Sequence, residues 1–255
     1  MPTKRSQQNP GASRTSVSPT NRTGTLYIVA VPIGHPDDMT VRAVQVLRTV
    51  ALIASENPKM TQHLLAHHHI QGTVTSYGPR NLKEKVAVLL QRLQQGAEIA
   101  LVSDCGSPLV VDPGHLLVAA AHAHGIPVIP IPGPSAVIAA LTAAGMPCDS
   151  FYFLGYLPSR PPLLTRRLLD AVKRDVPTVV FCTMDSLTHA VQTLATIAPR
   201  RVVVLACDLT RPSECIIWGT SRHISRSLPD MQGKDITMVL AGKNRSGRHK
   251  NTRSV

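Results

Sequence analysis

Aromatic side chains are nearly missing: one Trp, four Tyr and three Phe amount to 3% of a 255-residue chain whose hydrophobic content is 43%. The apolar material is therefore Val, Leu, Ile and Ala, which suits strands covered by helices on both faces. No uninterrupted apolar run is long enough to cross a bilayer, so a membrane-spanning role is not expected. The N-terminal stretch has no apolar segment of the kind a secretory signal needs. Cys105, Cys148, Cys182, Cys207 and Cys215 are odd in number, far apart and never spaced C-x-x-C. That usage argues for reduced thiols in a cytoplasmic setting.

Acidic residues are absent from both ends. Before Gly24 and after Gly242 lie nine of the 27 Lys and Arg residues, among them Lys4, Arg5, Arg14, Arg22, Arg245, Arg248, Lys250 and Arg253. The body then holds 18 bases against 15 acids, so most of the formal net charge of +12 belongs to the ends. Both tails, 1–23 and 243–255, are rich in Ser, Thr and Asn without an apolar pattern and are expected to be disordered. Such concentrated positive charge suits contact with a polyanion, and a solvated flexible end is the plainer alternative. His63 and His67 stand one helical turn apart, as a metal pair would need, but no Cys or acid is spaced to complete a site. A solvated helix end is the expected role there, with no metal.

What the chain does have is two short stretches that each run from buried-type apolar residues straight into Gly, Pro, Ser and Asp. They are ALVSDCGSPLVVDPG at 100–114 and VIPIPGPSA at 128–136. Each reads as a strand delivering a rigid turn with exposed backbone. In an open α/β sheet, the edge where such turns lie is where small polar ligands bind. Asp104 and Asp112 flank the Ser107 turn and are read as braces or helix caps through backbone N–H groups.

Elsewhere, residues 25–31, 52–54, 97–102 and 127–131 read as strands. Residues 41–50, 61–69, 82–95, 115–124 and 135–144 read as helices, with Asp37 or Asp38 expected to cap the first. That alternation predicts a parallel α/β sheet. A second α/β unit is expected from Phe151 onward, with Leu157-Pro158 and a Pro161-Pro162 break that marks a domain joint following its first residues. It has helices over 163–173 and 187–197 and strands over 178–182, 201–206 and 236–241. The expected organisation is 24–150 and 151–242, with the two turns facing the junction.

The stretches YIVAVPIGHPDDMTVRA at 27–43, SENPK at 55–59, LVSDCGSPLVVDPG at 101–114 and PIPGPSAVIAALTAAGMPCDSFYFLGYLP at 130–158 resemble the tetrapyrrole methylase superfamily. The resemblance spans about 24–242, and within the superfamily it is nearest to the branch that 2'-O-methylates a cytidine ribose in small-subunit ribosomal RNA. It implies two α/β domains of the class III methyltransferase type, a homodimer, and S-adenosylmethionine bound in the cleft between the domains. By resemblance Pro32, Ser107, Val110, Ser135 and Ala136 line that cofactor in the first domain. Cys182, Thr183, Ala206 and Met238 close over it from the second. The absence of a G-x-G-x-x-G loop and of a phosphate P-loop fits a cofactor without phosphate.

On the acceptor side the chain departs from the branch. It reads Glu56-Asn57-Pro58-Lys59 where Glu-Asp-Thr-Arg is usual, and Gly78-Pro79-Arg80-Asn81-Leu82 where His-x-His-Asn-Glu is usual. Lys234-Asp235 replaces Gly-Glu, while Leu209-Thr210-Arg211 and Glu214 echo the pattern. Glu56 and Lys59 are the candidate catalytic residues, Glu56 to orient or deprotonate a hydroxyl. Arg42, Lys59 and Arg80 are candidate RNA contacts. The expected function is methylation of small-subunit ribosomal RNA. Two alternatives stay open: a methylase of porphyrinoids, since His35-Pro36-Asp37 is similar to the Gly-Asp-Pro loop of those enzymes, and an RNA-binding relative without catalysis.

Overall fold

The computed structural model describes residues 23–79 and 81–243. Arg80 and almost all of both basic tails lie outside the described residues.

The first sheet has five strands, β1 (Leu26–Val29), β2 (Leu52–Ser55), β3 (Val74–Ser76), β4 (Ile99–Val102) and β5 (Val128–Ile131), in the order β3-β2-β4-β1-β5. Every pairing is parallel. Side chains alternate between its faces as a strand's two-residue period demands. Val29, Ile53, Ala100 and Val102 pack against α1 (Val41–Thr49) and α2 (Pro58–His67) through Ala43, Leu47 and Leu65. Leu26, Leu52, Ile99 and Leu101 pack on the other face against α3 (Leu82–Gln94) and α4 (His115–Ala123) through Leu89, Leu93, Leu117 and Ala121. With both faces covered, β4 is apolar and buried at every position.

The second sheet, β6-β7-β10-β8-β9, is mixed. Its strands are β6 (Tyr152–Tyr156), β7 (Thr178–Cys182), β8 (Val202–Cys207), β9 (Cys215–Thr220) and β10 (Ile236–Leu240). Only β6 and β7 run parallel; β10 is antiparallel to both β7 and β8, and β9 to β8. Helices α6 (Pro161–Val172), α7 (Met184–Ile197) and α8 (Ser221–Ser227) cover one face. The other is covered by α5 (Ala136–Ala143), whose Val137, Ala140 and Leu141 pack on Val179, Val204, Ala206 and Val239. A helix that follows the last strand of the first sheet thus buries its apolar side on the second.

Several local expectations are corrected. The cap of α1 is Thr40, whose Oγ1 accepts from the Ala43 N–H at 3.1 Å; Asp37 and Asp38 belong to a separate 3-10 turn over Pro36–Asp38. Pro161 and Pro162 open α6 instead of breaking the chain, because the first turn has no internal use for their missing N–H. Strands β3, β6 and β9 and helix α8 are not among the elements expected from the sequence. Strand β3 has three residues, and the Gly and Ser that follow Trp218 mask β9.

Candidate functional site

In a parallel sheet every strand ends at the same edge, so the turns after all five strands of the first sheet meet there. Those after β1, β4 and β5 are laced together. The Val31 N–H donates to the Gly106 carbonyl at 2.9 Å, and the Gly106 N–H to that of Pro32 at 3.3 Å. The Ser103 hydroxyl bonds the Gly106 carbonyl at 3.2 Å, and that of Ser107 the Pro134 carbonyl at 3.3 Å. Gly106 is required twice: its φ is +73°, and an added Cβ would press Ile33 at 3.3 Å. The first unit also meets the second here. The His35 N–H donates to Thr210 Oγ1 at 2.8 Å, and Gly34 lies so close to the Leu209–Arg211 backbone that a Cβ would stand 2.4 Å from the Leu209 carbonyl.

Between the units lies a cleft of about 310 Å3. The first unit lines it with Ile33, Gly106, Ser107, Val110, Asp112, Ser135 and Ala136, and the second with Tyr156, Phe181, Cys182, Thr183, Lys234, Asp235 and Thr237. Six sequence-predicted binding residues, Ser107, Val110, Ser135, Ala136, Cys182 and Thr183, are therefore brought together from segments some 75 residues apart. Three are not. Pro32 lines a neighbouring cavity, Ala206 is buried behind Thr237 under α5, and Met238 is buried on the opposite face of β10 among the α6 and α7 contacts. The wall residues Ile33, Asp112, Tyr156, Phe181, Lys234 and Asp235 escaped the sequence reading. The sequence reading makes Asp112 a brace or helix cap, but α4 is capped by Gly114 with no side-chain cap bond; Lys234-Asp235 stands in a stretch already noted, and nothing in the order of residues says which way these side chains face.

The chemistry of this wall fits a small molecule with a carboxylate, a cation and a flat ring. Ser135 sits at the N-cap of α5 without a side-chain cap, leaving first-turn N–H groups for an anion. Phe181 and Tyr156 pair with ring centroids 5.3 Å apart and offer aromatic faces to a ring or a cation. Small residues along Gly106-Ser107 and Ser135-Ala136 keep the backbone reachable.

Charge is distributed unevenly. Burial, followed by the charges of Glu56 and Asp104, pushes the Asp112 carboxyl up to about 6. Burial also raises Glu56, helped by Asp104, and raises Asp104 itself. Asp208, behind the cleft, would be raised by burial; Lys234 at 3.0 Å, the Ser213 hydroxyl at 2.8 Å and the Asp235 N–H at 3.0 Å hold it below the usual carboxylate value. The chain around Asp112 is bent. Leu109 and Val111 have φ of +70° and +74°, a conformation that bulky and β-branched residues adopt only at a cost of about 1–3 kcal/mol each.

Glu56 is half-buried at the end of β2 and Lys59 exposed in the first turn of α2; neither lines the cleft. Arg42 is exposed in the first turn of α1. The histidines stand at an exposed helix end, and two of them also fasten it. His67 Nε2 lies 2.7 Å from Asp37 Oδ1, and His68 Nε2 lies 2.9 Å from the Pro36 carbonyl, holding the 3-10 turn on α2.

Residues 25–225 match the pattern of the family Tetrapyrrole (Corrin/Porphyrin) Methylases. The chain is 42% identical over 201 residues to "Ribosomal RNA small subunit methyltransferase I" of Escherichia coli, covering 77% of this chain and 69% of that one. It is 40% identical over 198 residues to the protein of the same name from Xylella fastidiosa, covering 77% and 72%. In fold it is similar to uroporphyrin-III C-methyltransferase of Thermus thermophilus, whose crystal structure is a complex with S-adenosylhomocysteine. The TM-score there is 0.60 and the identity 17%, over 86% of this chain and 97% of that one.

Proposed function

Because the chain belongs to the tetrapyrrole methylase family, we propose that it is an S-adenosylmethionine-dependent methyltransferase that 2'-O-methylates a cytidine ribose in small-subunit ribosomal RNA. The observation that carries this reading is the identity to enzymes named for that RNA. It extends over 77% of the chain, more than either sheet's own segment, whereas the likeness to the porphyrinoid enzyme is one of fold.

In this reading the donor supplies a methyl group on a sulfonium, ready for in-line displacement. The residues of the chain hold and orient. First-turn N–H groups of α5, with Ser107 and Ser135, take the amino-acid end, and Val110, Ala136, Cys182 and Thr183 wall the remainder. Pro32, Ala206 and Met238 support these walls from behind. Most of the acceleration then comes from alignment, since holding the nucleophile about 3 Å from the methyl removes the entropic cost of encounter. Glu56 orients the acceptor from the end of β2, and Lys59, Arg42 and Arg80 contact its phosphates. The units 24–150 and 151–242 work as one body, with the basic tails extending the phosphate contacts in the cytoplasm.

A homodimer belongs to the same proposal. Ile216 and Trp218 on edge strand β9 stand opposite Ala206 and Val204, so they continue the face that α5 covers; Trp218 is 60% exposed. A second copy would bury that extension.

Incubating the protein with radiolabelled donor and small ribosomal subunits lacking the modification tests the reading, and label is expected in the RNA at a single cytidine. Tight donor binding without label in RNA would overturn it. Label passing to a porphyrinoid instead would favour the small-substrate alternative.

A further inference from the structure

We propose that Asp112 is the group that accepts the proton of the acceptor hydroxyl during methyl transfer. The inference rests on the reading just given and adds to it the residue that activates the nucleophile. A ribose hydroxyl is a poor nucleophile, so a side chain able to take its proton in the transition state accelerates the reaction. Such a side chain has to stand at the cleft.

Six titratable side chains line the cleft: Cys105, Asp112, Tyr156, Cys182, Lys234 and Asp235. Five are unsuited. Burial pushes the Cys182 thiol up to about 12 and that of Cys105 up to about 11, so neither is a thiolate at neutral pH. Burial raises Tyr156 as well. The hydrogen bond to Asp208 raises Lys234 and keeps it protonated, with no lone pair to offer. Asp235 is hydrogen-bonded by the Arg211 guanidinium, which neutralises its charge and occupies Oδ2. Asp112 has no cationic partner within ion-pair distance among the described residues.

The nearest charges on Asp112 are carboxylates, against which the Ser103 hydroxyl supplies one stabilising hydrogen bond. Glu56 faces it from the end of β2, Asp104 and Cys105 from the end of β4 and Tyr156 from β6, while Lys234 and Asp235 stand across the cleft. Carboxylates crowding a half-buried carboxylate make it more basic, towards the working pH of a general base. The two left-handed residues Leu109 and Val111 hold the turn in an unfavourable shape; Leu109 packs on the core of the first unit, while Val111 is 49% exposed. In the step itself the hydroxyl O–H bond breaks and its proton passes to Asp112. The oxygen's electron pair forms the bond to the methyl carbon as the carbon–sulfur bond breaks, and the electron pair of that carbon–sulfur bond stays on sulfur, which becomes a neutral thioether. Asp112 then returns the proton to water. Glu56, besides orienting the acceptor, acts on the proton transfer through Asp112, whose basicity its charge raises.

The test compares the full chain with Asp112→Asn and Glu56→Gln in three measurements. In the protein without substrates, carbon-13 titration of the Asp112 carboxyl is expected near pH 6 and lower in Glu56→Gln. Calorimetry with S-adenosylmethionine is expected to give Asp112→Asn a Kd within about threefold of the parent's. In single-turnover methylation of small subunits across pH 5–8, the parent's rate rises with pH and levels off; Asp112→Asn is slower by about 100-fold and loses the rise. A rate loss smaller than about tenfold, or an unchanged rise, overturns the assignment of Asp112 alone. So does a carboxyl titrating in the ordinary range, or loss of donor binding in place of rate. A parent protein that binds the donor and labels no RNA overturns the ribosomal RNA reading, and this inference with it.

Discussion

Asp112 illustrates how a single carboxyl trades stability for readiness to react. Its raised value means that the folded chain holds the proton more tightly than the unfolded one, whose carboxyl titrates near 3.8. The sign follows by linkage: the favourable contribution is complete below about pH 4 and is lost as pH rises through about 6. Asparagine has no proton to lose. Asp112→Asn is therefore expected to match the parent in urea unfolding near pH 4 and to exceed it above pH 6. The gain is about 1 kcal/mol once solvent screening at this half-buried position is allowed for. A variant less stable than the parent at pH 7 would contradict that account of the raised value.

Among the elements, the turn after β1 carries the sharpest geometric demand. Gly34 is pressed against Leu209, Thr210 and Arg211 of the second unit, and the neighbouring His35 N–H is bonded to Thr210 Oγ1. Thr210 is itself a β-branched residue at φ +66°, secured by its N–H to Glu214 Oε2 at 2.6 Å. The loop therefore has little room to withdraw. Gly34→Ala puts a methyl 2.4 Å from a carbonyl oxygen, so the units must shift apart. Overpacking of this kind costs about 2 kcal/mol. Urea unfolding should show that loss, and calorimetry a weaker grip on S-adenosylmethionine, because Ile33 and Asp235 on either side of the contact line the cleft. Unchanged affinity with unchanged stability would mean that the junction is softer than its packing indicates.

At this scale the sequence was readable where one strand or helix declares itself. The apolar runs at 97–102 and 178–182 read as strands, and the Gly-Pro-Ser turns announced strand ends. It was unreadable where the neighbour decides. Strand β9 has its alternation hidden by its place at an edge, with Ile216 and Trp218 exposed on the side where a core strand would be covered. The fastening role of His67 and His68 was hidden because their partners, Asp37 and the Pro36 carbonyl, lie about thirty residues away.

For the whole molecule, the exposed extension at Ile216 and Trp218 is the surface on which the proposed homodimer is tested. If a second copy covers it, light scattering will give twice the chain mass of 27.4 kDa, and Trp218→Ser will shift the equilibrium towards the single chain at micromolar concentration. A parent protein that remains a single chain at those concentrations would refute the homodimer. Among the described residues no helix is long and apolar enough to cross a membrane.

Period and punctuation, both local properties, determined that this chain is α/β, where its strands end and which turns are poor in bulky side chains. Parallel pairing then carried those turns to one edge, as it must when every strand of a sheet runs the same way. Which charges face the cleft, and which of them already have partners, was decided only in three dimensions. Asp112, Lys234 and Asp235 meet across more than a hundred residues of chain, and a carboxyl's basicity depends on the burial and the charges around it, which no spacing along the sequence records.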